Sequence, residues 1–187
     1  VTLADDGNYK SAEDTLEFEI AQARNEWTDR LSIKGWTYNE EPNAPTATAK
    51  FGNVVFTYSK EENGTYTEEI PTNAGTYYVK ATVAGNENYT GLEATEKFRI
   101  AEANSTVTIT TDSLDKAYDK DSVSEPAYTT TGSTGTVTIT WKKNTGTAES
   151  PNWETIPNAP CDTGRYQVVV TLADDGNYKS AEDTLEF

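Results

Sequence analysis

The chain holds one cysteine, no histidine, 31 acidic residues and 15 basic ones, and this inventory bounds the chemistry open to it. Cys161 is the sole thiol. A thiolate nucleophile needs a neighbouring base or cation to hold it deprotonated, and the usual base, histidine, is missing. Cys161 also stands opposite Thr72 in the internal repeat set out below, each next to a proline (Pro160 and Pro71). A place that accepts threonine in one copy is not an obligatory nucleophile, so an inert thiol is expected, with cross-linking between chains as the alternative. Asp112, Asp115, Asp119 and Asp121 bracket Tyr118 and offer hard oxygen ligands of the kind calcium takes. Their spacing is not that of an EF-hand loop, so a solvated acidic loop is expected. Asp5-Asp6-Gly7-Asn8 and its copy Asp174-Asp175-Gly176-Asn177 have the composition of a tight turn before that of a metal loop.

Carboxylate pairs such as Glu40-Glu41, Glu61-Glu62 and Glu68-Glu69 would serve a glycosidase only if two faced each other across a cleft with one desolvated. Each pair lies in a polar, turn-like stretch, so no catalytic residue is expected and no enzyme. Lys80 and Lys97 are formally able to form isopeptide bonds, but both are expected on the wet face of a strand. Aromatic rings outside the core pattern could stack on a sugar. These are Trp27, Trp153, Tyr66 and Tyr78. Trp153, in the segment SPNWETIPNAP, and Trp27, near a repeat boundary, are the two candidate ligand contacts. Asn63, Asn88 and Asn104 begin Asn-x-Thr sequons that matter only in a host that glycosylates secreted proteins.

The charge balance, 15 − 31 = −16, argues against nucleic-acid binding, which draws on cations that displace phosphate counterions. One cysteine and no histidine leave no zinc site, and no cofactor is expected. No apolar run approaches the roughly 18 residues of a membrane span, so no membrane insertion is expected. The sequence begins with valine, carries no methionine and has no signal peptide, which reads as an internal piece of a longer protein. Its 187 residues allow one large domain or two small ones at roughly 150 residues per domain.

Self-similarity decides between these. Residues 1–18 and 170–187 are both VTLADDGNYKSAEDTLEF, identical at a period of 170 − 1 = 169. A weaker repeat lies inside that period. Ile20-Ala21-Gln22-Ala23 matches Ile100-Ala101-Glu102-Ala103, and Tyr38 falls on Tyr118. Gly75-Thr76-Tyr77 matches Gly164-Arg165-Tyr166, Asn88-Tyr89 matches Asn177-Tyr178, and Phe98 matches Phe187. The array therefore reads as alternating A and B units. Residues 1–19 are the C-terminal strands of a preceding B unit, 20–100 an A unit, and 101–187 a B unit with its last strand truncated.

Each unit reads as strands. Tyr77, Val79, Ala81 and Val83 alternate with Tyr78, Lys80 and Thr82, and Tyr166, Val168, Val170 and Leu172 keep the same period. A period of two sends one face to a core and the other to water. Strands are also expected at Val54–Tyr58, Val137–Trp141, Leu31–Trp36, Thr106–Thr111, Glu96–Ile100 and Leu16–Ile20, all rich in β-formers. Asn63-Gly64, Asn73-Ala74-Gly75, Ala84-Gly85-Asn86, Gly132–Gly135 and Asp175-Gly176 mark turns between strands. Aromatic rings are expected to carry much of each core: Trp36, Tyr38, Phe56, Tyr58, Tyr77, Tyr89 and Phe98 in A, with the corresponding set Tyr118, Ile139, Trp141, Tyr166, Tyr178 and Phe187 in B.

The run PTNAGTYYVKATVAGNENYTG (71–91), followed by Phe98-Arg99-Ile100 and an alanine-rich junction, resembles the MBG (mostly β-grasp) and bacterial Ig-like repeats of secreted proteins. GWTYNEEPNAPTATAKFGNVVFTYS (35–59) resembles repeats of Firmicutes surface proteins. The resemblance implies an all-β (or mostly β) chain of two small β-grasp-like or Ig-like sandwich domains in a linear array. It further implies a place outside the cell, anchored to a Gram-positive surface, and a structural role as the stalk or fibre of an adhesin. It carries no catalytic residues. The expected partners are neighbouring repeats, a second chain associating head to tail through the orphaned tail, or a surface glycan or protein. The alternative function is a glycan- or host-protein-binding module using exposed aromatics.

Overall fold

A computed structural model describes residues 1–187. It is all β, without a helix. The first eighteen residues form a small hairpin of β1 (Thr2–Leu3) and β2 (Ala12–Glu13). The A unit follows as β3 (Trp27–Ser32), β4 (Trp36–Thr37), β5 (Thr46–Ala49), β6 (Val55–Ser59), β7 (Gly75–Val83) and β8 (Leu92–Ala101). The B unit holds β9 (Thr106–Ile109), β10 (Tyr128–Thr131), β11 (Val137–Asn144), β12 (Trp153–Ile156), β13 (Tyr166–Leu172) and β14 (Ala181–Glu186).

Each unit pairs a two-stranded sheet with a four-stranded one. In A these are β3-β5 and β4-β8-β7-β6, with β4 parallel to β8. In B they are β9-β10 and β12-β11-β13-β14. The central antiparallel pair is common to both units: Tyr77 opposes Phe98 in A, and Tyr166 exchanges both backbone hydrogen bonds with Phe187 in B.

The alternation in the sequence sets which face is buried. Val79, Ala81 and Val83 are sealed from solvent in A, as are Val168, Val170 and Leu172 in B. Phe98 organises the A core: its ring lies 5.2 Å from Trp36, 5.9 Å from Tyr77 and 6.2 Å from Tyr58. Phe187 keeps two of these relations, 5.9 Å to Tyr166 and 6.2 Å to Trp141. Trp36, Tyr58, Val79, Phe98 and Ile100 form one buried cluster, and Val107, Val170 and Leu172 another. The two interiors are separate.

Three expectations need correction. The run Leu31–Trp36 is two strands, because the chain changes partner at Gly35: β3 pairs with β5, and β4 crosses to β8. The tail segment Leu16–Ile20 is not a strand, and Leu16, Phe18 and Ile20 are each more than 80% exposed. Pairing in this hairpin stops at Val1–Asp14, which leaves these residues without a ladder partner. Tyr118 is 58% exposed and not a core residue; its counterpart Tyr38 packs on the A core and on a B-unit ring, whereas Tyr118 borders a cleft.

Candidate functional site at the junction between the repeats

One loop recurs three times. In it an aspartate or asparagine accepts hydrogen bonds at its side chain from the backbone N–H groups two and three residues on. Asn86 does so for Asn88 and Tyr89, Asp175 for Asn177 and Tyr178, and Asp6 for Asn8 and Tyr9, all at 2.8–3.0 Å. This is an Asx turn, favoured because the short polar side chain stands in for a backbone acceptor. It answers the expectation of a tight turn at both aspartate-rich copies. No three His, Cys, Asp or Glu side chains converge as a metal-holding group, and the Asp112–Asp121 stretch is an irregular, solvent-facing loop.

Each complete unit braces this loop from within. In A, Asn25 bonds the backbone of Phe51 and accepts the N–H of Glu26, while Phe51 stacks on Tyr89 with ring centres 3.9 Å apart. In B, the Ser133 hydroxyl donates to the Ala173 carbonyl at 2.6 Å. Thr134 donates both its N–H and its hydroxyl to Asp175. The Thr134 N–H, with the N–H groups of Tyr178 and Asn177, holds the Asp175 carboxyl down at about 2. Gly132, at φ +89°, passes against Ser105 and the Tyr178 ring. The left-handed backbone and the lack of room both call for glycine there.

The linker docks on both sides of the boundary. Ile100 is fully buried in A, and Ala101 accepts the N–H of Tyr38 at 2.8 Å. Two residues later Ala103 belongs to B: its N–H donates to the Asn177 carbonyl and its carbonyl accepts from Lys179, both at 2.9 Å. Only Glu102 lies between these anchor points. Ala23 repeats the arrangement with Asn88 and Thr90 of A.

The B-unit loop then reaches back to A. The Tyr178 ring meets the edge of Tyr38 at 5.3 Å, and its hydroxyl accepts from the Asn39 amide at 2.6 Å. The Asn177 side chain accepts the Ala74 N–H at 2.8 Å and donates to the Asn73 side chain at 3.3 Å. Asn39 sits at φ 68°, a conformation asparagine tolerates better than most residues. Two short spans, one covalent and one through side chains, thus join the same two units.

The other candidates do not meet here or with one another. Trp27 lies half-buried on β3 of A and Trp153 half-buried on β12 of B. Tyr66 is covered by Lys80, whose ammonium stands 4.5 Å from the ring centre and also pairs with Glu93 at 3.0 Å. Tyr78 is half-buried and Lys97 is exposed, both on sheet strands. Cys161 is exposed on the rim of a cleft at the far end of B.

A family model described as an MBG domain matches the chain twice, over residues 31–104 and 106–187. No curated protein and no solved structure matches it.

Proposed function

Because the chain belongs to the MBG domain family, as two tandem repeat domains, we propose that it is a stiff spacer segment of a secreted or cell-surface protein such as an adhesin. It sets the distance between other domains and holds them in line, outside the cell and anchored to its surface. The observation that carries this reading is the junction: a single residue, Glu102, separates the sheet of one unit from the first backbone bridge of the next, and the Tyr178 loop locks the pair from the side. Domain pairs within a chain are by default mobile unless their interface restrains them; a spacer needs that restraint. Stacked repeats that touch only their neighbours give a length set by repeat number. A net charge of −16 keeps such rods soluble and mutually repelled.

The test is the relative orientation of the two units in solution, read by residual dipolar couplings. In the native chain one alignment tensor fits both units. In Asn177→Ala/Tyr178→Phe, which removes the polar links from the loop to Asn39, Asn73 and Ala74 and leaves both cores intact, the tensors diverge. Independent tumbling of the native units would defeat the spacer reading. Specific retention on a glycan array, lost in Trp153→Ala, would favour the binding-module alternative.

A further inference from the structure

The A unit holds a hollow of about 290 Å³ between the end of β6, the segment 65–73 and Tyr77. That is the lower edge of the roughly 300–1,000 Å³ of small-ligand sites, room for a single ring. All of its lining lies inside the A unit. Two links hold its walls. Tyr58 and Thr67 exchange both backbone hydrogen bonds, at 2.6 and 2.9 Å, and the Tyr77 hydroxyl donates to the Asn73 carbonyl at 3.1 Å. Asn73 is held in turn from the B unit by the Asn177 side chain.

Tyr58, which lines the hollow, is only 7% exposed, with its ring against Phe98. Its hydroxyl bonds to no residue of the chain, and burial alone pushes its titration above the ordinary 10.0. Every half-buried or buried side-chain polar atom that is fully sealed from solvent has a partner, so this unpartnered hydroxyl keeps an opening to solvent. A hydroxyl largely withdrawn from water without a partner is unfavourable. Packing does not demand it. Trp141 opposes Val168 in B as Tyr58 opposes Val79 in A, and it is equally buried; the core calls for a large ring at this place, not for a phenol.

The rest of the lining defines the ligand chemistry. Thr65, Thr67 and Thr72 add three hydroxyls, which, like the phenol, both donate and accept. Lys60 and Glu69 bring opposite charges, so the hollow favours neither an anion nor a cation, and a chain of net charge −16 repels anions further. Ile70 and Pro71 supply apolar surface, and Ile70 is 44% exposed. We infer that the hollow binds one neutral pyranose ring, with its hydroxyls on Tyr58 and the threonines and its C–H face on Ile70 and Pro71. A pyranose presents both a donor–acceptor edge and an apolar face, whereas a wholly apolar ligand would leave the hydroxyls unpaired. Neither Trp27 nor Trp153 lines this site. The inference goes beyond the spacer reading and does not rest on it.

Amide-resolved NMR titration of the native chain tests it, with the methyl glycosides of glucose, galactose, mannose and N-acetylglucosamine as probes. At least one moves the amides of Ser59, Thr67, Thr72 and Asn73 in a saturable way, with a Kd of about 1–10 mM, as suits a single ring. Tyr58→Phe weakens binding roughly 3- to 10-fold, the worth of one hydrogen bond, and does not lower the A-unit melting temperature, because the ring stays. Ile70→Asp, a change at an exposed position, weakens binding without unfolding the unit. Affinity kept when the bound ring ends a trisaccharide identifies a glycan terminus as its source, and affinity lost on extension identifies a free sugar; either upholds the inference. No saturable shift with any of the four probes overturns it. So do shifts that Tyr58→Phe leaves unaltered, or tighter binding of methyl glucuronide than of methyl glucoside. The alignment tensors of the native units are read without sugar, so the spacer reading stands or falls separately.

Discussion

Asp175 is a carboxylate whose ionised form the fold favours. Its carboxylate accepts hydrogen bonds from Thr134, Asn177 and Tyr178 and titrates at about 2 instead of its ordinary 3.8. A group lowered on folding contributes stability that is complete above its unfolded value and lost as pH falls through the folded one. The junction loop should therefore keep its full support down to about pH 4 and lose this contribution between about pH 4 and pH 2. Asn86 makes the same turn in A with a neutral side chain, so the A loop lacks the effect. Asp175→Asn is expected to flatten the difference in melting temperature of the B unit between pH 5 and pH 2. An unchanged difference would show that Asp175 is not its source. The sequence marks this residue as turn-forming by its neighbours, Asp174-Asp175-Gly176-Asn177. It does not mark Thr134, 41 residues away, because that contact exists only once the Gly132–Gly135 loop has folded against it.

Among the elements, the paired strands were the most legible. Alternating Tyr77–Val83 and Tyr166–Leu172 became β7 and β13 with the expected faces inward, since a two-residue period allows one buried face only. The Leu31–Trp36 run was not read correctly. Hydrophobicity continues across it, yet Gly35 lies so close to the Arg99 carbonyl that an added Cβ would collide with it. That crossing lets β4 join β8 in parallel and seats Trp36 on Phe98. Gly35→Ala should cost the A unit on the order of 1–3 kcal/mol through the displaced backbone, seen as a fall in the A-unit melting temperature alone. A neutral substitution would mean that β4 can be repositioned freely. The candidate site was half legible: the Asn-Tyr dipeptides and alanine-rich linkers stand out as repeats, but nothing in them says that the B-unit loop turns back onto Tyr38 and Asn73.

For the whole molecule, separate cores predict separate unfolding. Each unit of 80–90 residues buries a modest interior, and the buried clusters of A and B share no residue. Tyr166 is buried and its hydroxyl bonds the Asp162 carbonyl; Tyr77 is half-buried with the matching bond to Asn73. Tyr166→Ala should cost B about 3–5 kcal/mol and Tyr77→Ala should cost A somewhat less, each leaving the other unit's transition in a calorimetric scan where it was. One merged transition that shifts as a whole in both variants would instead mean that the junction couples the units into a single cooperative body.

The sequence alone determined that the chain is β, that it repeats, and that histidine chemistry is closed to it. These are local or additive properties, carried by period, composition and identity between copies. Only the tertiary structure decided where β8 stops being A and the linker becomes B, which aromatic rings share a core, and which loop spans the boundary. Those depend on contacts between residues distant in the chain, such as Asn39 with Tyr178, and no window of sequence contains both partners.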